Sequence, residues 1–127
     1  MAPLTYLDTH VAAWLFAGEV AMLSAGARQA LEKGDLLASP AVLLELQHLY
    51  ETKRVGESGD HVLDDLRRRI GLRLCDLPFA DVAHRALQQG WTRDPFDRLI
   101  VAQAMLRDSV LVTKDRRLRT HYRRAVW

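Results

Sequence analysis

Cysteine is almost absent from the sequence, since Cys75 is the single one among 127 residues. One thiol excludes an intramolecular disulfide and a zinc site built on several cysteines. Because Cys75 lies in the apolar run LRLCDL, we expect it to be a small core residue. The sequence also shows no signal peptide and no apolar run near the roughly 18 residues of a membrane span. We therefore expect a cytoplasmic protein in a reducing compartment.

Glycine-rich phosphate loops, repeats and low-complexity segments are missing as well. The chain contains no GxGxxG or Walker-type loop, and its five histidines show no zinc-type spacing. The length suits one domain over residues 1–127, and 49% hydrophobic with 27% charged residues is ordinary for a globular protein. A net charge of +2 permits a nucleic-acid partner without establishing one.

The distribution of the charges along the chain is more informative than the net charge. Residues 114–124 contain six basic side chains and one acid, and residues 67–69 are three consecutive arginines. Such runs are most often solvated faces, although a nuclease would also use them to steer RNA by its phosphates. The three tryptophans are expected in the core or at an interface. The residues alone leave the role of the basic runs open.

Short β-favouring segments alternate with amphipathic segments along the whole chain. This alternation predicts an α/β fold in three layers, α/β/α, with a central, mainly parallel sheet of four to five strands. In such sheets, sites lie outside the carboxyl ends of the strands. The predicted strands are Leu4–Leu7, Asp35–Ala38, Leu72–Leu77 and Val110–Thr113, with Ala125–Trp127 as a short last strand.

Capping residues and glycines bound the predicted helices. The helix after the first strand is predicted to have Thr9 as its cap and Gly18 as its end, and Ser39 with Pro40 begins a strong helix. The basic run after Asp115 is interpreted as a tail. The remaining predicted helices span Leu23–Lys33, Asp60–Ile70 and Phe79–Gln89, and a further buried helix lies in the stretch TRDPFDRLIVAQ.

That stretch places two carboxylates at the start of an apolar helix. Asp94 stands where an N-cap belongs, Pro95 occupies the first helical position, and Asp97 follows within the same turn. Helix capping explains Asp94 and Pro95 without any chemistry. A divalent metal is the alternative explanation for the pair, and the choice depends on the acids elsewhere in the chain.

Three more acids are predicted to arrive at the same edge of the sheet. Asp8 ends the first strand, Asp115 follows the fourth, and Glu45 lies on the apolar side of the helix after the second. Carboxylates a few ångströms apart raise one another's pKa or repel, and a hard divalent cation relieves this. Mg²⁺ prefers oxygen ligands and often takes only one or two carboxylates directly. The pattern therefore favours an acidic metal site.

Four segments together make the chain resemble the PIN-domain ribonucleases, in particular the VapC-like toxins of toxin–antitoxin pairs. They are YLDTHVAAW at 6–14, SPAVLLEL at 39–46, RDPFDRLIVAQA at 93–104 and LVTKDRRL at 111–118. The resemblance implies a PIN-like fold and a Mg²⁺- or Mn²⁺-dependent endoribonuclease acting on RNA. It also implies a cognate antitoxin that inserts a peptide into the cleft, and a homodimer.

Carried over by motif, the resemblance implies a set of site residues. Asp8 and Asp97 are the expected metal ligands. Asp94 belongs to the longer DPFDR form of the motif. Thr9 and Thr113 are candidates for orienting a carboxylate or a water by hydrogen bonding, beside the plain turn roles that both also fit. The implied catalytic residues are Asp8, Glu45, Asp97 and Asp115.

Two alternatives remain open from the sequence. A receiver-like phosphoacceptor domain has a similar length and an acidic pocket, but it needs an acidic pair after the first strand, where Asp8 stands alone. It also needs a phosphorylatable Asp after the third strand, where Asp76 is followed by Leu77-Pro78. The second alternative keeps the PIN fold and acts on DNA, or serves as an inactive RNA-binding module.

Overall fold

Strands and helices alternate along residues 2–127, the part of the chain that the computed structural model describes. A single 3₁₀ turn, Val20–Met22, precedes the second helix. The elements are β1 Leu4–Leu7, α1 Thr9–Ala17, α2 Ala25–Lys33, β2 Asp35–Ala38, α3 Pro40–Glu51, α4 Gly59–Ile70, β3 Arg73–Leu74, α5 Phe79–Ala86, α6 Pro95–Leu106, β4 Val110–Val112, α7 Arg116–His121 and β5 Ala125–Val126.

The five strands form one sheet in the order β3-β2-β1-β4-β5, and every neighbouring pair is parallel. With helices on both sides this is the predicted three-layer α/β/α architecture. The order differs from the β2-β1-β3-β4-β5 order of flavodoxin-like folds, to which receiver domains belong. The receiver-like alternative is therefore excluded by topology.

The direction of the strand order reverses between β1 and β4. Tyr6 of β1 is in register with Leu37 of β2 on one side and with Leu111 of β4 on the other. At such a reversal the connections leave the two strand ends in opposite directions and open a crevice between them. The residues that follow β1 and β4 therefore line the natural site of this fold.

Buried aliphatic side chains from the sheet and the helices form the core. Leu7, Leu46 and Leu111 are fully buried within it. Cys75 is also buried, as predicted, and its Sγ accepts a hydrogen bond of 3.0 Å from the Tyr6 hydroxyl. Among residues 2–127, no helix combines the length and the apolar character needed to cross a membrane.

Two predicted elements are shorter than expected. The third strand was predicted over Leu72–Leu77, but only Arg73–Leu74 pairs in the sheet, because it is an exposed edge with one partner and Pro78 cannot continue it. The helix predicted over Phe79–Gln89 ends at Ala86. The Leu87 amide bonds both three and four residues back, and the amides of Gln88 and Gln89 bond only three residues back, as in a turn.

Three predictions about helices were wrong. Thr9 does not cap α1, because the Asp8 side chain accepts from the Thr9 amide and Thr9 is the first helical residue. The helix predicted from about Leu23 begins at Ala25, although Ser24, its predicted cap, is confirmed. The basic run interpreted as a tail forms α7, which buries Leu118 completely. One apolar anchor in an arginine-rich segment is too weak a periodic signal to predict a helix.

Gly34 allows the end of α2 to lie against β1. A Cβ at this position would come within 2.2 Å of the Thr5 Oγ1 atom. We predict that Gly34→Ala lowers the free energy of unfolding by about 1–3 kcal/mol, because the added methyl overpacks a buried contact. Urea unfolding measures this change.

Gly90→Ala is the matched control, because a Cβ there has nothing within 4 Å. It should be neutral or slightly stabilising through the lower entropy of the unfolded chain. Equal stability of the Gly34→Ala variant and the wild type would contradict the close approach of α2 to β1.

Candidate active site

The cavity at the carboxyl ends of β1 and β4 collects acids from four separate parts of the chain. Its volume is about 380 Å³. All four predicted catalytic residues lie on its wall, together with Asp94, while Thr9 and Thr113 lie behind it. The lining residues are Asp8, His10, Trp14, Glu45, Asp94, Asp97, Lys114 and Asp115.

Asp8 is the most buried carboxylate of the cavity, with 7% of its surface exposed. Its Oδ1 accepts the Thr9 amide at 2.8 Å, and its Oδ2 accepts the Thr113 hydroxyl at 2.6 Å. Burial raises the pKa of this carboxyl, while the two hydrogen bonds oppose the rise. Both oxygens are held in place, so the direction of the carboxylate is set before any ligand binds.

Glu45 reaches the cavity from the middle of α3. The Thr9 hydroxyl donates a hydrogen bond to its Oε1. Burial again raises the pKa of the carboxyl, and the Thr9 hydrogen bond lowers it in part. Thr9 therefore binds Glu45 through its side chain and Asp8 through its amide, and it joins the acids of α3 and β1.

Asp94 and Asp115 each cap a helix. The Asp94 Oδ1 accepts the amides of Phe96 and Asp97 at the start of α6. The Asp115 Oδ1 accepts two amides at the start of α7 in the same way. Each cap uses one carboxylate oxygen of an exposed side chain, so capping and a role in the cavity are compatible for both residues.

Asp97 lies among the other four carboxylates of the cavity. Its pKa is raised to about 7, first by burial and then by the carboxylates of Asp94, Asp8, Asp115 and Glu45. At neutral pH such a group exchanges readily between its charged and neutral forms. The raised pKa therefore reflects the burial of Asp97 first and the neighbouring negative charges second.

Lys114 is the one lysine or arginine on the wall of the cavity within the described residues, and it forms no ion pair with the five carboxylates. Among residues 2–127, all six ion pairs lie elsewhere, and none includes a carboxylate of the cavity. Within the same residues, no three acid, imidazole or thiol groups are arranged so that they could hold a metal together. A hard cation that keeps most of its waters needs only one or two carboxylates, so the donor set fits Mg²⁺ or Mn²⁺.

Three residues of the wall were not predicted to be in the site: His10, Trp14 and Lys114. Asp8 caps α1, which turns His10 and Trp14, one helical turn apart, towards the acids. Lys114 directly precedes Asp115. The spacing of these residues from Asp8 and Asp115 was a usable signal, but the expected core role of Trp14 concealed it.

The other basic and aromatic residues lie outside this cavity. Arg67 and Arg68 pair with Asp64, and Arg69 pairs with Asp65, so the run of arginines on α4 is partly neutralised by its own helix. Trp91 stacks on His121, with the ring centroids 4.6 Å apart. Neither group contributes to the wall around the acids.

A family model described as PIN domain matches residues 5–124 of the chain. Among curated proteins, Ribonuclease VapC22 of Mycobacterium tuberculosis is 37% identical over 126 residues, which cover 91% of this chain and 89% of the relative.

Solved structures share the fold at lower identity. The structure of PAE2754 from Pyrobaculum aerophilum gives a TM-score of 0.64 at 20% identity, covering 99% of this chain and 90% of that one. VapBC2 from Rickettsia felis, bound to a DNA fragment from the VapBC2 promoter, gives a TM-score of 0.58 at 18% identity, covering 92% of each chain. At these identities the likeness establishes the fold alone.

Replacing Thr113 tests the hydroxyl that holds Asp8. Thr113→Val keeps the shape of the side chain but leaves the buried Asp8 Oδ2 without its donor and the Asp115 amide without its acceptor. We expect a loss of about 1–3 kcal/mol in the free energy of unfolding at neutral pH. Thr113→Ser keeps the hydroxyl and should lose much less, and equal losses in both variants would contradict a hydrogen-bonding role.

The raised pKa of Asp97 predicts a pH dependence of stability in the presence of a chelator. The Asp97 carboxyl has a pKa of about 7 in the folded chain and its ordinary value of 3.8 in the unfolded chain. The stability linked to Asp97 is therefore complete below the lower value and is lost as the pH rises through about 7.

We expect Asp97→Asn to be more stable than the wild type at about pH 8, with a difference that shrinks as the pH falls towards 3.8, because the amide removes the charge that the cavity disfavours. Urea unfolding at several pH values measures this difference. A difference that did not change with pH would contradict the assignment of the raised pKa to Asp97.

Proposed function

Because the chain belongs to the PIN domain family, in its VapC-like branch, we propose that it is a metal-dependent endoribonuclease and the toxin of a toxin–antitoxin pair. One observation carries the proposal: five carboxylates line one cavity beside a single lysine, and within the described residues none of the five forms an ion pair. The similarity to Ribonuclease VapC22 supports RNA as the substrate. A phosphodiester cannot approach such a cavity unless a cation is present.

The proposal assigns Mg²⁺ or Mn²⁺ to Asp8 and Asp97. Thr9 and Thr113 fix the direction of the Asp8 carboxylate, while the Asp97 carboxylate is available at the start of α6. When bound, the ion supplies a Lewis acid for the phosphate oxygens. The raised pKa of Asp97 favours this role, because a bound cation stabilises the charged form that the cavity otherwise disfavours.

Glu45 and Asp115 are proposed to orient the attacking water by accepting its hydrogens. Thr9 holds Glu45 in place for this role, and the free oxygen of Asp115 lies on the same wall. Hydrolysis with water as the nucleophile leaves a 5′-phosphate and a 3′-hydroxyl. Attack by the ribose 2′-hydroxyl would instead leave a 2′,3′-cyclic phosphate, and His10 would be the obvious base for it.

The proposed partners are an RNA substrate, a cognate antitoxin and a second copy of the chain. VapBC2, whose fold this chain shares, supports an antitoxin encoded beside it. The exposed side chains of Phe79 and Leu87, at 67% and 73%, offer apolar surface for an interface. The remaining alternative, a PIN fold that acts on DNA or only binds RNA, predicts no RNA cleavage with Mn²⁺ present.

Asp97→Asn should abolish RNA cleavage and growth arrest while leaving the fold intact. The amide cannot supply the anionic oxygen that a hard cation requires, so we expect a loss of at least about 100-fold, the scale typical of essential catalytic groups. Cleavage of total RNA and of matched single-stranded DNA, with and without Mn²⁺, measures the activity, and circular dichroism checks the fold.

Asp81→Asn is the control, because Asp81 is an exposed acid of α5 outside the cavity. It should cleave like the wild type. Retained cleavage in Asp97→Asn would contradict the metal assignment, and cyclic phosphate ends on the products would contradict hydrolysis by water. Cleavage of the DNA alone would favour the alternative substrate.

A further inference from the structure

We propose that Trp14 and Lys114 form a nucleotide-binding subsite beside the acidic cavity, in which an RNA base stacks on the indole and a neighbouring phosphate binds the ammonium group. The inference rests on the proposed ribonuclease function and adds a place for the substrate outside the metal site. Both residues lie on the wall of the cavity that holds the five carboxylates.

The ring of Trp14 is held as a platform. Its centroid lies 6.0 Å from that of Trp127, which packs with it against the core. His10, one helical turn earlier on α1, places its imidazole 6.0 Å from the same ring. Trp14 is half-buried while His10 is exposed, so the indole is fixed and the imidazole is free to move aside for a base.

Lys114 supplies the charge that the acids lack. Its Nζ lies 6.0 Å from the centroid of the Trp14 ring, at the edge of the range for a cation–π contact. It is the only lysine or arginine on the wall of the cavity within the described residues. An exposed ammonium group beside an aromatic ring offers the two contacts that single-stranded nucleic acid uses, one for the phosphate and one for the base.

A second cavity makes the subsite part of a longer path. This cavity, of about 440 Å³, shares His10 and Trp14 with the acidic one and has Arg54, Glu19 and Glu57 on its wall. A strand that leaves the acidic cavity can therefore continue over Trp14, where Arg54 is the cation available to it. Such a path suits a polymer better than a free mononucleotide.

A protein segment is the competing occupant of this surface. The carboxylates would attract a basic side chain of a peptide, but Lys114 would repel it at the rim. The combination of one fixed indole and one exposed ammonium group instead matches a base followed by a phosphate. The observations therefore favour RNA on this wall.

Binding can be measured apart from cleavage in the full-length Glu45→Gln protein, which loses the proposed water-orienting carboxylate but keeps both proposed metal ligands, Asp8 and Asp97. The probe is a short, fluorescein-labelled, single-stranded RNA of mixed sequence, with Mg²⁺ present and anisotropy as the readout. Trp14→Leu should weaken binding about 5- to 100-fold, because stacking on one base is lost. Trp14→Phe keeps an aromatic platform and should recover most of the affinity.

Lys114→Met should reduce the slope of log affinity against log salt concentration by about 0.7, the value for one phosphate contact of a single strand. Lys114→Arg should restore the slope. In the native enzyme, which retains Glu45, Trp14→Leu should raise KM for the same RNA by a similar factor and change kcat little.

Trp91→Leu is the matched control, because Trp91 is a half-buried tryptophan outside both cavities. Unchanged RNA affinity in Trp14→Leu, beside clear binding by the parent, would overturn the subsite and leave the ribonuclease function standing. No RNA binding by the parent would also overturn it, and the cleavage assay of the native chain then decides the proposed function separately. If Trp14→Leu weakened binding of the protein product of the adjacent reading frame but not of RNA, the surface would belong to a protein partner.

Discussion

The buried carboxylate of Asp8 is the constraint on which the rest of the site depends. It is bound by the first amide of α1 and by a hydroxyl that follows β4, so one side chain joins a strand, a helix and the neighbouring strand. The Asp8 amide also donates to the Val112 carbonyl at 3.0 Å, which continues the β1–β4 pairing up to the site. The strand pairing, the capping of α1 and the geometry of the acid therefore depend on the same residue.

The repulsion among the five carboxylates limits how many of them the folded cavity can hold in the charged form. Burial and mutual repulsion raise the pKa of Asp8, Glu45 and Asp97, so the isolated cavity disfavours its own ionised state. Helix amides at Asp94 and Asp115 offset part of the charge through their dipoles. Under the proposed function, the remaining charge attracts a cation, and metal affinity would then depend on pH.

Particular residues show which parts of the site could be predicted from the sequence and which could not. Four of the five acids were predictable because they stand at a strand end or a helix start, as Asp8 and Asp94 do, whereas Glu45 was singled out as a charge on the apolar side of a helix. Trp14 was interpreted as core or interface, and the structure shows that its ring both packs against the core and lines the cavity. Helix α7 was missed because its stability comes from burying Leu118, a tertiary contact without a local pattern.

The sequence by itself determined the alternation of strands and helices and most helix starts, because propensity, capping and periodicity act over a few residues. It also placed four of the acids at the ends of those elements and Glu45 on the apolar side of a helix. Only the tertiary structure decided that β1 lies between β2 and β4, which brings the Thr113 hydroxyl to Asp8 across a separation of 105 residues. Contacts at that distance depend on strand order, and so the tilt of each carboxylate, its pKa and its neighbours on the wall follow from the folded chain.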